Sequence, residues 1–212
     1  MNATNFERHE RSVPLIDAKR SFDLFLSAVA LVTLAPVFLL ISVAIRLTSE
    51  GPVFYRASRV GKDGKPFKMF KFRTMVVNAD KIGPGITLDK DRRITPVGRV
   101  LRKTKLDELP QLINVLRGEM SMVGPRPEDP RYVALYTPHQ RTVLSVRPGI
   151  TSQASVHFRD ESAQLSGPDW ESHYVQVVMP AKLQLDIAYA QQPDVKRDLA
   201  LIAKTILALF DR

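Results

Sequence analysis

The chain has 212 residues, enough for one domain with a sizeable core or for two small ones. Hydrophobic residues make up 44% and charged residues 25%, which excludes wholesale disorder; the absence of cysteine excludes disulfide scaffolds, thiolate zinc sites and a cysteine nucleophile. A net charge of +9 favours phosphate-rich partners: nucleic acid, an anionic membrane face or phosphorylated small substrates.

The first element is one apolar run. No ionisable residue occurs from Leu24 through Ile45, 22 positions bounded by Asp23 and Arg46. At about 1.5 Å per residue a helix of that length reaches roughly 33 Å, enough to enter or cross a hydrocarbon core. Pro36 sits at its middle, and the lost backbone hydrogen bond predicts a kink or break near Ala35-Pro36. Lys19 and Arg20 precede the run, while Arg46, Arg56 and Arg59 follow it, so the positive-inside tendency gives no vote for crossing. A segment that dips in, turns at Pro36 and leaves by the same face satisfies both flanks. On the residues alone, crossing and re-entry stay open.

Beyond Gly51-Pro52, Val53–Arg56 reads as a short strand and Lys62-Asp63-Gly64-Lys65 as a tight hairpin turn. Phe67–Met75 alternates, with Phe70, Phe72 and Thr74 on one face and Lys71 and Arg73 on the other, as expected for an edge strand with a solvated basic face. Asn78 to Pro96 is rich in Gly, Pro and charge and reads as a long loop. Leu109, Leu112, Ile113 and Leu116 then recur at helical spacing, with Gly118 where a C-terminal cap belongs. Thr137 to Gln140 matches a capping box. The last segment opens at Pro193 and places Val195, Leu199, Ile202, Ile206 and Leu209 on one stripe, as in a core-facing helix or one lying in a membrane interface.

Chemistry concentrates in Arg102–Gln111, RKTKLDELPQ. Asp107 and Glu108 fall at or just before the start of the amphipathic helix. As a structural feature they complement the helix dipole, and Thr104 with Asp107 resembles a capping box. Their surroundings point further. Arg102, Lys103 and Lys105 crowd the acids, and Arg126 stands between two rigid prolines in Gly124-Pro125-Arg126-Pro127. A helix start ringed by fixed cations suits a phosphate, and two carboxylates there suit a magnesium ion bridging carboxylate and phosphate. Adjacent residues point in different directions, so Asp107 and Glu108 are expected to have different tasks.

KRSFD (Lys19–Asp23), the proline-broken helix, KFRTM (Lys71–Met75), LDELPQL (Leu106–Leu112), GPRP (Gly124–Pro127) and RPGIT (Arg147–Thr151) occur in one order. Together they resemble the bacterial sugar transferases that act as monotopic polyprenyl-phosphate phosphoglycosyl transferases, from about Lys19 to the C-terminus. The resemblance implies an α+β, mostly helical fold: an N-terminal tail (1–18), a re-entrant membrane helix (19–47) with both ends in the cytoplasm, and a cytosolic catalytic domain (48–212) with a small β-hairpin and amphipathic interfacial helices. It also implies an enzyme of the bacterial inner membrane, acting at the cytoplasmic face without nucleic acid. Asp107 would attack the sugar-bearing phosphate of a UDP-sugar and release UMP. Polyprenyl (undecaprenyl) phosphate would then take the phosphosugar. Glu108 would hold Mg2+, and Lys71, Arg73, Arg102 and Arg126 would lie near substrate phosphates. Ala35 stands where that family usually has serine before the helix-breaking proline, which removes one local partner for the freed carbonyls. The competing expectation is a membrane-anchored basic binding protein, for nucleic acid or as a scaffold, without catalysis.

Overall fold

The computed structural model describes residues 18–82, 91–159, 165 and 169–210. The apolar run forms two helices, α1 (Ala18–Thr33) and α2 (Ala35–Thr48), bent by 60° at the break. Leu34 occupies the joint and Pro36 lies in the first turn of α2, where its missing N–H costs no intrahelical bond. The hydroxyl of Thr33 donates to the carbonyls of Val29 and Ala30, a turn before the break. Among the described residues no single helix is long and apolar enough to cross a membrane, whereas the bent pair passes that test together.

Two polar anchors dock α1 to the rest of the chain. The guanidinium of Arg20 donates to the carbonyls of Val115 and Leu116, and buried Asp23 accepts the Met122 N–H at 3.0 Å. Lys19 bonds Asp198 and the Val123 carbonyl. These charges read from sequence as topology flanks; they also hold the helix on the domain. The opposite face stays apolar and uncovered: Phe25, Val32, Leu40 and Leu47 are all exposed. On α2, Ile41 and Ile45 turn inward against Phe72 and Leu101.

The hairpin pairs β1 (Phe54–Val60) with β2 (Pro66–Phe72) in antiparallel register, Phe54 opposite Phe72 and Val60 opposite Pro66. Asp63 (φ 57°) and Gly64 (φ 74°) both turn left-handed, as a tight primed turn requires. β1 is longer than the expected Val53–Arg56 because the turn sets a full-length partner for β2. Nor is the basic face solvated: Lys71 is half-buried against Glu108, and Arg73 is buried. The expected Asn78–Pro96 loop contains α3 (Ala79–Ile82) and a bridge from Ile94 to Met75; residues 83–90 lie outside the described set.

Next come α4 (Pro96–Lys103), a 3-10 turn (Leu106–Glu108) and α5 (Gln111–Arg117). Gly118 closes α5 with φ 81°, the left-handed cap its position promised. Thr104 does not cap toward Asp107; its hydroxyl bonds back to Val100 and Leu101 at the end of α4. The short strand β3 (Ser121–Val123) follows, then α6 (Pro130–Val133) and a 3-10 segment (Gln140–Ser145) whose Thr137–Gln140 box closes reciprocally. Strand β4 (Gly149–Thr151) pairs parallel to β3. At this crossing a Cβ on Gly124 would sit 2.4 Å from the Arg147 carbonyl, so only glycine permits the approach. Helix α7 (Gln153–His157) leads to α8 (Trp170–His173), a π-turn (Tyr174–Val178) and α9 (Met179–Gln191). Among the described residues the largest core cluster joins Tyr174 and Leu183 of this group to Leu165, to Tyr132 of α6 and to Val143 of the 3-10 segment.

The final helix, α10 (Val195–Phe210), does not turn its stripe into the core, which is the first of the two arrangements expected of it. It docks through polar groups, Asp198 to Lys19 and Tyr189, and Thr205 to Thr151. Ile202 is half-buried, while Leu199, Ile206 and Leu207 are more than half exposed.

Candidate active site

The site grows from the turn between α4 and α5. Lys105 takes a left-handed conformation (φ 58°), a strained state for a residue with a Cβ, and the chain reverses into Leu106–Glu108. The turn sends Asp107 inward and Glu108 toward a cavity. Asp107 is 5% exposed, and its Oδ1 has no hydrogen-bond partner among the described residues. Glu108 is met from two directions. Lys71, from β2, places its ammonium 2.8 Å from Oε1. Arg126, from the loop after β3, brings one guanidinium nitrogen to 2.6 Å of Oε1 and another to 3.3 Å of Oε2.

These environments drive the two carboxyls apart. Burial raises Asp107 above the ordinary aspartate range, with Lys71 pulling it back less strongly. Burial alone would raise Glu108 too, but the charges and hydrogen bonds of Arg126 and Lys71 outweigh it and hold that carboxyl well below the usual glutamate range. Two neighbouring acids with opposite shifts are suited to two different tasks.

Of the residues expected near phosphates, Lys71, Arg102 and Arg126 converge here. Arg102 lines the cavity and reaches Thr74 with a long 3.5 Å contact. Arg73 does not converge. Its guanidinium turns to the end of α2, donating to the carbonyl and hydroxyl of Ser49, both at 2.8 Å. Ala35 and Pro36 open the second apolar helix and are outside the cavity lining, although their neighbour Leu34 belongs to it.

The cavity measures about 640 Å³. Charged residues on its wall are Arg59, Arg102, Lys105, Glu108, Arg126, Glu128 and Arg159. Its apolar lining includes Leu26 and Ala30 from α1, Leu34 at the joint, and Ile202 and Ile206 from α10. Asp107 lies behind Glu108 and outside that lining. Sequence reasoning missed Arg59, Glu128 and Arg159 as cavity residues. Along the chain Arg59 reads only as a flank of the membrane run. Glu128 directly follows Gly124–Pro127 in the chain, and that adjacency was the available signal; its carboxylate bonds the Tyr174 hydroxyl.

Among the described residues no group of three or more His, Asp or Glu could hold a metal ion by itself. A magnesium ion bound mainly by substrate phosphates needs only one or two carboxylates. The unpartnered Oδ1 of Asp107 and the loosely held Oε2 of Glu108 fit that reduced demand.

Comparison with known proteins bears on what this site serves. The profile of a family described as bacterial sugar transferase matches residues 15–212. The exopolysaccharide production protein ExoY of Rhizobium meliloti (strain 1021) is 37% identical over 207 residues, 91% of this chain and 85% of that protein. A UDP-glucose:undecaprenyl-phosphate glucose-1-phosphate transferase of Caulobacter vibrioides is 37% identical over 197 residues, 91% of this chain and 69% of the relative. A UDP-N-acetylgalactosamine-undecaprenyl-phosphate N-acetylgalactosaminephosphotransferase of Aeromonas hydrophila is 41% identical over 141 residues, 65% of this chain and 33% of the relative. A match over nearly the whole length, including every element that builds the cavity, settles the family: the chain belongs to the bacterial sugar transferases.

Proposed function

We propose that this protein transfers a phosphosugar from a UDP-sugar to undecaprenyl phosphate through a covalent intermediate on Asp107. The observation that carries the reading is the turn at Leu106–Glu108: a buried carboxylate with an unpartnered oxygen, beside a second carboxylate locked by Lys71 and Arg126. The substrate classes come from relatives whose names specify UDP-sugars and undecaprenyl phosphate.

In the first step an oxygen of Asp107 attacks the sugar-bearing phosphorus. The bond from that phosphorus to the bridging oxygen breaks, and UMP leaves with the electron pair. In the second step an oxygen of undecaprenyl phosphate attacks the same phosphorus, and the Asp107–phosphorus bond breaks to restore the carboxylate. Arg126, Lys71 and Arg102 hold charge that shifts among phosphate oxygens during both steps. Glu108, with the free oxygen of Asp107, would hold Mg2+, which neutralises phosphate charge when bound.

Both substrates must meet at a bilayer, and the bent helix pair suits re-entry. The start of α1 and the end of α2 are held by one folded body, through Arg20 and Asp23 at one end and Ile45 and Ser49 at the other. Helices of 16 and 14 residues span about 24 and 21 Å, so a 60° bend puts the apex only about 11 Å from the line joining their ends. That depth stays within one leaflet of a ~30 Å core. The exposed Leu199, Ile206 and Leu207 of α10 suit a helix lying in the interface of the same, cytoplasmic, face of the bacterial inner membrane.

The test is UMP release from a panel of UDP-sugars, followed by mass spectrometry of enzyme quenched without lipid acceptor. The expected adduct is a phosphosugar on the peptide carrying Asp107. Release of UMP with no such adduct under burst conditions would remove the covalent route. Binding without release would leave only a scaffold.

A further inference from the structure

Pro125-Arg126-Pro127 has an unusual backbone supply. Neither proline carries an N–H, so the amide of Arg126 is the sole main-chain donor in the stretch. Its acceptor is Oδ2 of Asp186, 3.1 Å away on α9. Asp186 is 4% exposed, and its Oδ1 lies 3.5 Å from the Ala154 N–H at the start of α7. The Ser152 hydroxyl beside it helps hold its charge. One carboxylate therefore ties the loop of Arg126 to the β4–α7 junction, whose Thr151 and Ser155 line the cavity along with Arg126.

A buried carboxylate is an expensive way to satisfy two amides. Burial pushes its pKa up to about 6, with the backbone bonds and Lys182 one turn earlier opposing the rise. What it provides is a fixed origin for a long side chain. The Arg126 guanidinium must meet Glu108 at 2.6 Å from a loop that has no other main-chain donor at that point. A displacement of about 1 Å at such a group is enough to cost a factor near 10² in rate.

We propose that Asp186 is a positioning residue for phosphosugar transfer: by accepting the Arg126 amide it aims the guanidinium at Glu108 and at the transferred phosphate. This rests on the functional reading above and adds a residue that the reaction's own chemistry does not use.

The test is Asp186→Asn in the full chain, which replaces one carboxylate oxygen with an N–H donor facing donors. Turnover in UMP release should fall about 10- to 100-fold with little change in KM for the UDP-sugar. Added to Arg126→Ala, the same substitution should cost almost nothing further, because Asp186 acts through Arg126. In the wild type the Arg126 amide should be protected from hydrogen exchange, and Asp186→Asn should release it. Undiminished turnover in a folded Asp186→Asn variant, or losses that simply multiply in the double variant, would overturn the proposal. Should Asp186→Asn fail to fold, the wild-type exchange still decides, since a rapidly exchanging Arg126 amide is incompatible with the tether. A wild type that releases no UMP from any UDP-sugar would sink the functional reading instead, while the exchange measurement goes on reporting the tether itself.

Discussion

Replacing Asp107 with asparagine should separate activity from stability. The carboxylate is 5% exposed, its Oδ1 lacks a partner, and burial raises its pKa, so the folded state disfavours the ion. A buried group left unsatisfied costs about 1–3 kcal/mol, and a neutral amide of the same shape recovers part of it. A gain of about 1–2 kcal/mol is therefore expected at pH 7, or roughly 2–8 °C in Tm for a chain of this size. The pH dependence has a definite sign. A carboxyl raised in the folded state contributes its stability below the unfolded value near 4 and loses it as pH rises through the folded pKa. The advantage of Asp107→Asn should accordingly vanish near pH 4 and grow toward neutrality. Turnover should meanwhile fall by about three orders of magnitude or more, since the attacking oxygen is lost. Thermal unfolding across pH 4–8, paired with UMP release, measures both. A folded variant that is less stable at pH 7 than the wild type would refute the burial argument, and near-normal turnover would refute the nucleophile.

Further outcomes follow from the same geometry. Glu108→Gln removes the partner of both Lys71 and Arg126 and should cost about 1–3 kcal/mol, less than a fully buried pair because Arg126 is 32% exposed. It should also raise the magnesium needed for half-maximal activity, and wild-type activity unchanged by EDTA would remove the metal role. Arg126→Lys keeps the charge but loses the planar fork, so kcat/KM should drop about tenfold or more; wild-type kinetics would make Arg126 an ordinary loop charge. Cysteines introduced at Asn5 and Asp211 should both resist an impermeant thiol reagent on intact spheroplasts, and Pro36→Ala should expose some of the Asn5 cysteines. Labelling of Asn5 alone in the parent protein would mean that the apolar segment crosses.

Much of the architecture was legible because its signals are local. A proline in an apolar run, Asp-Gly in a hairpin and glycine after an amphipathic stretch act within four or five residues, and the break at Leu34, the turn at Asp63-Gly64 and the cap at Gly118 all appear. The strands β3 and β4 escaped notice because each has three residues and pairs with a partner about 28 positions away. Of the site, Asp107, Glu108, Lys71, Arg102 and Arg126 were picked out by motif, and the chain brings them to one place. Arg73 shares a strand face with Lys71 in the alternation pattern, yet β2 ends at Phe72 and the chain beyond it delivers the guanidinium to Ser49.

Periodicity, capping and motif spacing depend only on near neighbours, so the order of elements and the chemical inventory of the turn can be read along the chain. Which charges are spent on docking and which face the cavity was decided by the tertiary structure. Lys19 and Arg20 look no different from Arg102 along the chain, but they are used up on Asp198 and on helix-end carbonyls. Asp186 has no local signal at all. It lies within a helical stretch, 60 residues from the amide it accepts, and its carboxylate acquires a purpose only when α9 packs beneath the Arg126 loop. Hydrogen bonds of that range follow from how helices stack, and stacking is a property of the whole buried surface rather than of any window of sequence.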